Sequence, residues 1–112
     1  GVVIMAYIPE QGDICRITLN PQSGHEQRGR RPALVVSNKE YNRITGLSIC
    51  CPITNTDNKF PLHVKISGCT TTGFVMIEHL KSLDYKSRQA EFIEKLDEDT
   101  LIEVLSRINA CL

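Results

Sequence analysis

Two short, continuous apolar runs constrain the fold of this chain more than any other feature. They cover residues 32–37 and 47–53 and are separated by a polar link of nine residues (38–46) that begins with a capping Asn and ends in Gly. Runs of this length are typical of strands that are buried on both faces of a sheet. The sequence therefore predicts two central strands, with one or two helical turns or an irregular link between them, and no membrane span, which needs about 20 apolar residues.

Further strands flank these two. Residues 12–19 are β-favourable and end at an Asn-Pro turn, and residues 74–83 and 90–94 predict extended structure. Residues 62–67 alternate, which predicts a strand with one set of side chains inward (Leu62, Val64, Ile66) and the other outward (His63, Lys65, Ser67). The pattern predicts five or six strands in total.

The C-terminus changes to a helical period. Four apolar residues recur at helical spacing after a capping Asp97 (Leu101, Val104, Leu105, Ile108). One domain is expected from 112 residues, with Met5 as the natural start and residues 1–4 as an addition. The predicted fold class is mainly β with a C-terminal helix, in which a small, strongly twisted sheet closes into a partial barrel.

Composition excludes several functional classes. Thirteen basic and thirteen acidic residues give no net charge, so a basic field over the whole molecule is excluded, and three Tyr, three Phe and no Trp argue against a platform for base stacking. Five cysteines indicate a reducing cytoplasm, and their spacing, with three isolated histidines, predicts no metal site. We expect the cysteines to be small core residues and expect no cofactor.

Two polar loops are candidates for a site. Residues 22–31 end in Arg28-Gly-Arg30-Arg31 just before one apolar run, and Thr54-Asn55 follows the other. If these strands pair antiparallel, Arg31 and Thr54 share one rim, where a guanidinium and a hydroxyl can hold a phosphate. The alternatives are a solvated arginine cluster and a threonine that caps its own turn.

An ordered series of motifs spans nearly the whole chain: Gly12-Asp13-Ile14, the segment from Gly24 to Ser37 with Glu26-Gln27-Arg28-Gly29-Arg30-Arg31-Pro32, then Pro52-Ile53-Thr54, Thr72-Gly73 and Lys81-Ser82-Leu83-Asp84. This series resembles that of the MazF/PemK family of toxin endoribonucleases. The Glu-Gln-x-Gly-x-Arg-Pro segment before an apolar strand is the most specific of these motifs.

This resemblance implies a PemK/CcdB-like, SH3-like barrel and a homodimer in the bacterial cytoplasm. It also implies metal-independent, sequence-specific cleavage of single-stranded RNA, usually mRNA, which stops translation and growth. The products would be a 2′,3′-cyclic phosphate and a 5′-hydroxyl. A cognate antitoxin, acidic and partly disordered, would neutralise the protein.

The resemblance assigns catalysis to Arg31 and Thr54. Glu26 is the candidate for proton transfer or for ordering its loop, with a salt-bridge partner as the alternative, and His25 is a lesser candidate. Six residues are candidates for RNA binding (Arg28, Arg30, Asn55, Glu78, His79, Lys81). His79 stands where other members have Gln, and Met76 stands where some have Arg, so the cleavage sequence and the auxiliary acid are expected to differ.

Two other classes of function stay open at this point. The same barrel occurs in toxins that poison DNA gyrase by binding, without RNA cleavage. A small structural or adaptor barrel with a merely solvated arginine loop is the third reading.

Overall fold

The computed structural model describes residues 6–19, 29–57 and 59–112 of the chain. These residues contain seven strands and two α-helices, in the order β1 (Asp13–Thr18), β2 (Arg30–Val35), α1 (Lys39–Thr45), β3 (Ser48–Thr54), β4 (His63–Lys65), β5 (Phe74–Met76), β6 (Lys81–Leu83), β7 (Glu91–Lys95) and α2 (Glu98–Ala110). A 3-10 turn, Ile77–His79, separates β5 from β6. The mainly β fold with a C-terminal helix is confirmed.

All strand pairings are antiparallel, and the strand order is β4-β5-β3-β2-β1-β7. Strand β3 changes partner along its length: Ser48 to Cys50 pair with β6, and Ile53 and Thr54 pair with β5. The two predicted central strands, β2 and β3, do lie in the middle of the sheet. There are seven strands rather than five or six because the 3-10 turn divides the predicted segment 74–83 into β5 and β6.

The sheet is not closed into a barrel. Within the described ranges, the end strands β4 and β7 do not pair with each other. Helix α2 instead packs on β4 and the 3-10 turn, and its apolar stripe covers the face that closure would otherwise bury. The prediction of a partial barrel is corrected to an open sheet covered by a helix.

Both faces of the central strands are buried, as their continuous apolar runs predicted. The larger core cluster lies between the sheet and α2, and the smaller cluster lies on the opposite face. Asp97 caps α2 by accepting a hydrogen bond from the Thr100 amide, and Val104 in the middle of the helix is fully buried. The helix predicted from the change of period is confirmed.

Asn42 of α1 is a fully buried polar side chain whose hydrogen-bonding groups are all engaged. Its amide nitrogen donates to the carbonyl oxygens of Pro9 (2.8 Å) and Ser37 (3.2 Å), and its Oδ1 accepts from the Ser37 hydroxyl (2.5 Å). The Tyr85 hydroxyl donates to the Asn42 carbonyl. This network ties the N-terminal segment and β6 to the β2–β3 connection.

Replacing Asn42 with Ala should therefore destabilise the protein by about 3 kcal/mol, because several buried polar groups lose their partner at once. The free energy of unfolding from urea denaturation measures this. Asn109→Ala, at an exposed position of α2, is the matched control and should change stability by less than about 0.5 kcal/mol. Equal effects of the two substitutions would contradict the role given to the network.

The cysteines of the strands are core residues, as expected. Cys15, Cys50 and Cys51 are buried, and Cys111 is exposed at the end of α2. Burial raises the pKa of Cys15 and of Cys51 to about 12, and it raises the pKa of Cys50 as well. Their thiolates, the reactive forms, are therefore scarce at ordinary pH.

Iodoacetamide at pH 8 should accordingly label Cys111 first and should reach Cys15, Cys50 and Cys51 only in the denatured protein. Mass spectrometry of the labelled peptides gives the order of reaction. Labelling of Cys51 in the native protein as fast as that of Cys111 would show that the strand cysteines are accessible.

Candidate active site

Arg31 and Thr54 lie at the same rim of the sheet. Strands β2 and β3 pair antiparallel with Ala33 opposite Pro52. Arg31 precedes Ala33 by two residues and Thr54 follows Pro52 by two, so the two side chains lie on the same face at the same end of this strand pair. The antiparallel pairing expected from the sequence is confirmed.

Both residues line an open cleft of about 320 Å³. Its lining is mixed, with four polar residues (Arg31, Thr54, His79, Lys81) and four apolar ones (Leu19, Pro52, Ile53, Met76). Because β3 pairs with β5 at one end and with β6 at the other, the 3-10 turn between those strands carries His79 to the cleft. Four of the residues selected from the sequence thus lie around one cavity.

The Arg31 side chain is exposed, and none of the described residues forms a hydrogen bond or an ion pair with its guanidinium. Thr54 is half-buried, and its hydroxyl oxygen accepts a hydrogen bond from the Thr56 amide at 3.2 Å. The turn-capping alternative for Thr54 is therefore realised. The hydroxyl proton still remains for donation to a ligand.

The position of Thr54 depends on Gly73. Gly73 has φ = 122°, and a Cβ atom built on it would come within 2.5 Å of the Thr54 carbonyl oxygen. Beside it, the Thr72 hydroxyl donates to Asn55 Oδ1 at 3.1 Å. The loop before β5 therefore packs directly on the Thr54-Asn55 backbone, and only glycine fits at position 73.

Arg30 faces away from the cleft. Its guanidinium donates to the carbonyl oxygens of Gln89 (2.8 Å) and Arg16 (3.4 Å), to the Thr18 hydroxyl (3.2 Å) and to Glu91 (2.9 Å). Its side chain is only 12% exposed. Arg30 thus joins β1, β2 and β7, while its neighbour Arg31 stays available to a ligand.

A group of three neighbouring polar side chains contains Glu78, His79 and His63. Glu78 Oε2 lies 2.6 Å from His63 Nε2 and 3.9 Å from His79 Nε2. The His63 side chain is only 4% exposed and meets the Phe60 ring edge to face, so its predicted outward position in solvent is wrong. The 3-10 turn and Phe60 cover that side of β4. The alternating pattern within β4 does not predict this burial, because the covering residues belong to other segments.

The remaining predicted residues are placed as follows. Lys81 begins β6, opposite Cys50, and lines the cleft; Asn55 is exposed in the bend after β3. His25, Glu26 and Arg28 lie outside the described residues. Sequence reasoning did not select the apolar lining residues, namely Leu19, Pro52, Ile53 and Met76, because apolar residues at strand ends carry no signal that separates a cleft from a core.

Comparison with known proteins decides the family. The family model described as "PemK-like, MazF-like toxin of type II toxin-antitoxin system" matches residues 10–112. The chain belongs to this family. The chain is therefore a toxin of the type II toxin-antitoxin class. It is also an endoribonuclease, which is how its curated relatives are named.

Individual relatives agree with this membership. The chain is 34% identical to the endoribonuclease PemK of Escherichia coli over 108 residues, which are 92% of this chain and 81% of PemK. It is 30% identical to the endoribonuclease toxin MazF of E. coli K12 over 98% of this chain and 99% of MazF. The crystal structure of MazF from Deinococcus radiodurans superimposes with a TM-score of 0.83 at 38% identity, over 95% of this chain and 97% of that one.

A structure of the MazE-MazF complex from the same organism is similar as well, with a TM-score of 0.82 and 33% identity over 95% and 96% of the two chains. The described part of our chain contains no helix with the length and apolar character needed to span a membrane.

Proposed function

We propose that this PemK/MazF-family toxin cleaves single-stranded RNA at a specific sequence through the 2′-hydroxyl of the substrate, leaving a 2′,3′-cyclic phosphate and a 5′-hydroxyl. The observation that carries the proposal is the Arg31 guanidinium, without a partner among the described residues, beside the Thr54 hydroxyl in one cleft. The family membership of the chain supports the same reaction class.

Arg31 is assigned to stabilise the negative charge that develops around the phosphorus during the reaction. Its forked N–H donors match two phosphate oxygens, and the guanidinium stays charged throughout the reaction. Thr54, at the end of β3 in the same cleft, is assigned to donate its hydroxyl proton to the same phosphate, which fixes the orientation of the phosphate. The proton acceptor for the 2′-hydroxyl is assigned to Glu26, on the resemblance of its motif.

No metal ion is needed in this proposal. RNA supplies its own nucleophile, and a guanidinium provides the positive charge that a metal would otherwise bring to the phosphorane. The reaction then requires only a proton acceptor, a proton donor and the stabilised phosphorane. DNA, which lacks the 2′-hydroxyl, cannot react in this way.

Base recognition is assigned to the edge of the cleft. His79 and Lys81 line it, Asn55 and Glu78 adjoin lining residues, and amides, carboxylates and cations suit the edges of unstacked bases. Arg28 is proposed to meet the RNA backbone. We leave Arg30 out of this surface because its donors are engaged by protein oxygens.

The proposed partners follow from the relatives. MazF of D. radiodurans forms a complex with MazE, and we propose that an acidic, partly disordered antitoxin likewise covers the cleft of our protein and competes for Arg31. We also propose a homodimer that acts in the bacterial cytoplasm, where cleavage of mRNA would arrest growth.

Incubation of the purified protein with a long single-stranded RNA in EDTA, followed by sequencing of the fragment ends, tests this function. Discrete cuts at one short sequence, with cyclic phosphate ends, are expected. No cutting by the folded protein would overturn the proposal in favour of a toxin that acts by binding, and cutting only after Mg²⁺ is added would overturn its metal independence.

A further inference from the structure

The cleft is lined by one described imidazole. Of the polar lining residues, Arg31 and Lys81 offer only hydrogen-bond donors and Thr54 offers a hydroxyl, whereas the ring nitrogens of His79 can either donate or accept a proton. Its side chain is 57% exposed and therefore open to a substrate in the cleft.

His79 lies next to a carboxylate that a buried histidine holds in place. Its Nε2 is 3.9 Å from Glu78 Oε2, beyond hydrogen-bond distance, and the same carboxylate oxygen is held by the buried His63 Nε2 at 2.6 Å. No described residue forms a hydrogen bond with either ring nitrogen of His79, which leaves the imidazole for a ligand in the cleft. A carboxylate beside an imidazole is a recurring arrangement in acid-base catalysis.

A carboxylate stands beside His79 in a cleft whose other charged groups are cations. Arg31 and Lys81 line the cleft, and the Glu78 carboxylate lies next to the imidazole. His63, on the far side of Glu78, fixes that carboxylate in place. His79 thus stands between the cations that can hold a phosphate and a carboxylate with a fixed position.

We propose that His79 is the general acid of the cleavage reaction, with Glu78 and His63 as positioning residues. This rests on the proposed ribonuclease function and names its proton donor. As the bond between the 2′-oxygen and phosphorus forms, the bond from phosphorus to the 5′-oxygen breaks, and His79 gives its proton to that departing oxygen. The 2′-hydroxyl proton goes to the acceptor, which is assigned to Glu26. Proton exchange with water afterwards reprotonates His79 and deprotonates Glu26.

A substrate with sulfur in place of the departing 5′-oxygen separates an acid from a residue that only binds RNA. A thiolate leaves without protonation, so the loss of a general acid no longer slows the reaction. We expect His79→Gln to cut ordinary RNA at least about 100-fold more slowly than the unmodified protein. The same variant should cut the sulfur-substituted RNA within a few-fold of the unmodified protein.

Arg31→Ala is the contrast in this experiment, because it should lose cleavage of both substrates. If His79→Gln is slowed equally on both substrates, His79 only binds RNA and the proposal is wrong; if it is slowed on neither, His79 has no part in the reaction. If the unmodified protein cuts neither substrate, the proposed function itself fails. The three results are distinguishable.

Glu78→Gln and His63→Leu test the positioning roles. Each should slow cleavage of ordinary RNA by about tenfold, less than His79→Gln does, and the sulfur-substituted RNA should relieve the loss in both. His63→Gln keeps a donor toward Glu78 and should restore part of the rate. If the sulfur-substituted RNA does not relieve the loss of rate in Glu78→Gln or His63→Leu, these residues do not act through His79 and their positioning roles are wrong.

Discussion

Arg31→Ala should lower kcat for RNA cleavage by about 1000-fold while the protein stays folded. Removal of one pre-positioned donor to a developing charge typically costs 10²- to 10³-fold in kcat, and Arg31 is the charged member of the pair that faces the scissile phosphate. The side chain is exposed and has no described partner, so its loss should change the free energy of unfolding by less than about 0.5 kcal/mol.

Two variants make this result specific. Arg43→Ala removes an exposed arginine of α1 that pairs with Glu40 and does not line the cleft, so its cleavage rate should be unchanged. Arg31→Lys keeps the positive charge but loses the forked N–H donors of the guanidinium. Its cleavage rate should lie between the rates of Arg31→Ala and Arg43→Ala. Normal cleavage by Arg31→Ala would remove Arg31 from the mechanism. An unfolded Arg31→Ala protein would contradict its assignment as an unpartnered rim residue.

Gly73→Ala should be nearly as damaging, although the residue carries no chemical group. The added Cβ would lie 2.5 Å from the Thr54 carbonyl oxygen, and φ of 122° is strained for any residue with a side chain. Thr54 and the neighbouring loop must then move apart. A displacement of about 1 Å in a positioning residue can cost about 100-fold in rate, so kcat should fall by that order.

Gly46→Ala is the matched control for backbone strain. Gly46 ends α1 with φ of 73°, but nothing lies within 4 Å of a Cβ atom built there. It should lose about 1 kcal/mol of stability from the left-handed conformation and keep full cleavage activity. If Gly73→Ala cleaves as well as Gly46→Ala, the contact with Gly73 does not position Thr54.

The parts of the fold that the sequence predicted are those with a clear period. The apolar runs at β2 and β3, and the helical stripe that includes Val104, reflect burial that each element shows in its own residues. The shared rim of Arg31 and Thr54 followed from the same runs, because antiparallel neighbours bring the start of one strand beside the end of the next.

Other features depend on contacts between distant segments and leave no local pattern. His63 is buried because Phe60 and the 3-10 turn cover its side of β4, and one face of the open sheet is covered by α2 from the far end of the chain. The opposite directions of Arg30 and Arg31 are predictable in principle, since neighbours in a strand alternate between faces. Their common place in one polar loop motif instead favours a single RNA-contacting surface.

The central claim is that the 2′-hydroxyl of the substrate is the nucleophile, activated in the cleft of Arg31 and Thr54. Its most direct test uses an RNA oligonucleotide that contains the mapped cleavage sequence, with a single 2′-deoxy nucleotide on the 5′ side of the scissile phosphate. The account predicts that the unmodified protein cuts the all-RNA oligonucleotide in EDTA and leaves the substituted one intact. Cleavage of the substituted oligonucleotide at the same bond would contradict it.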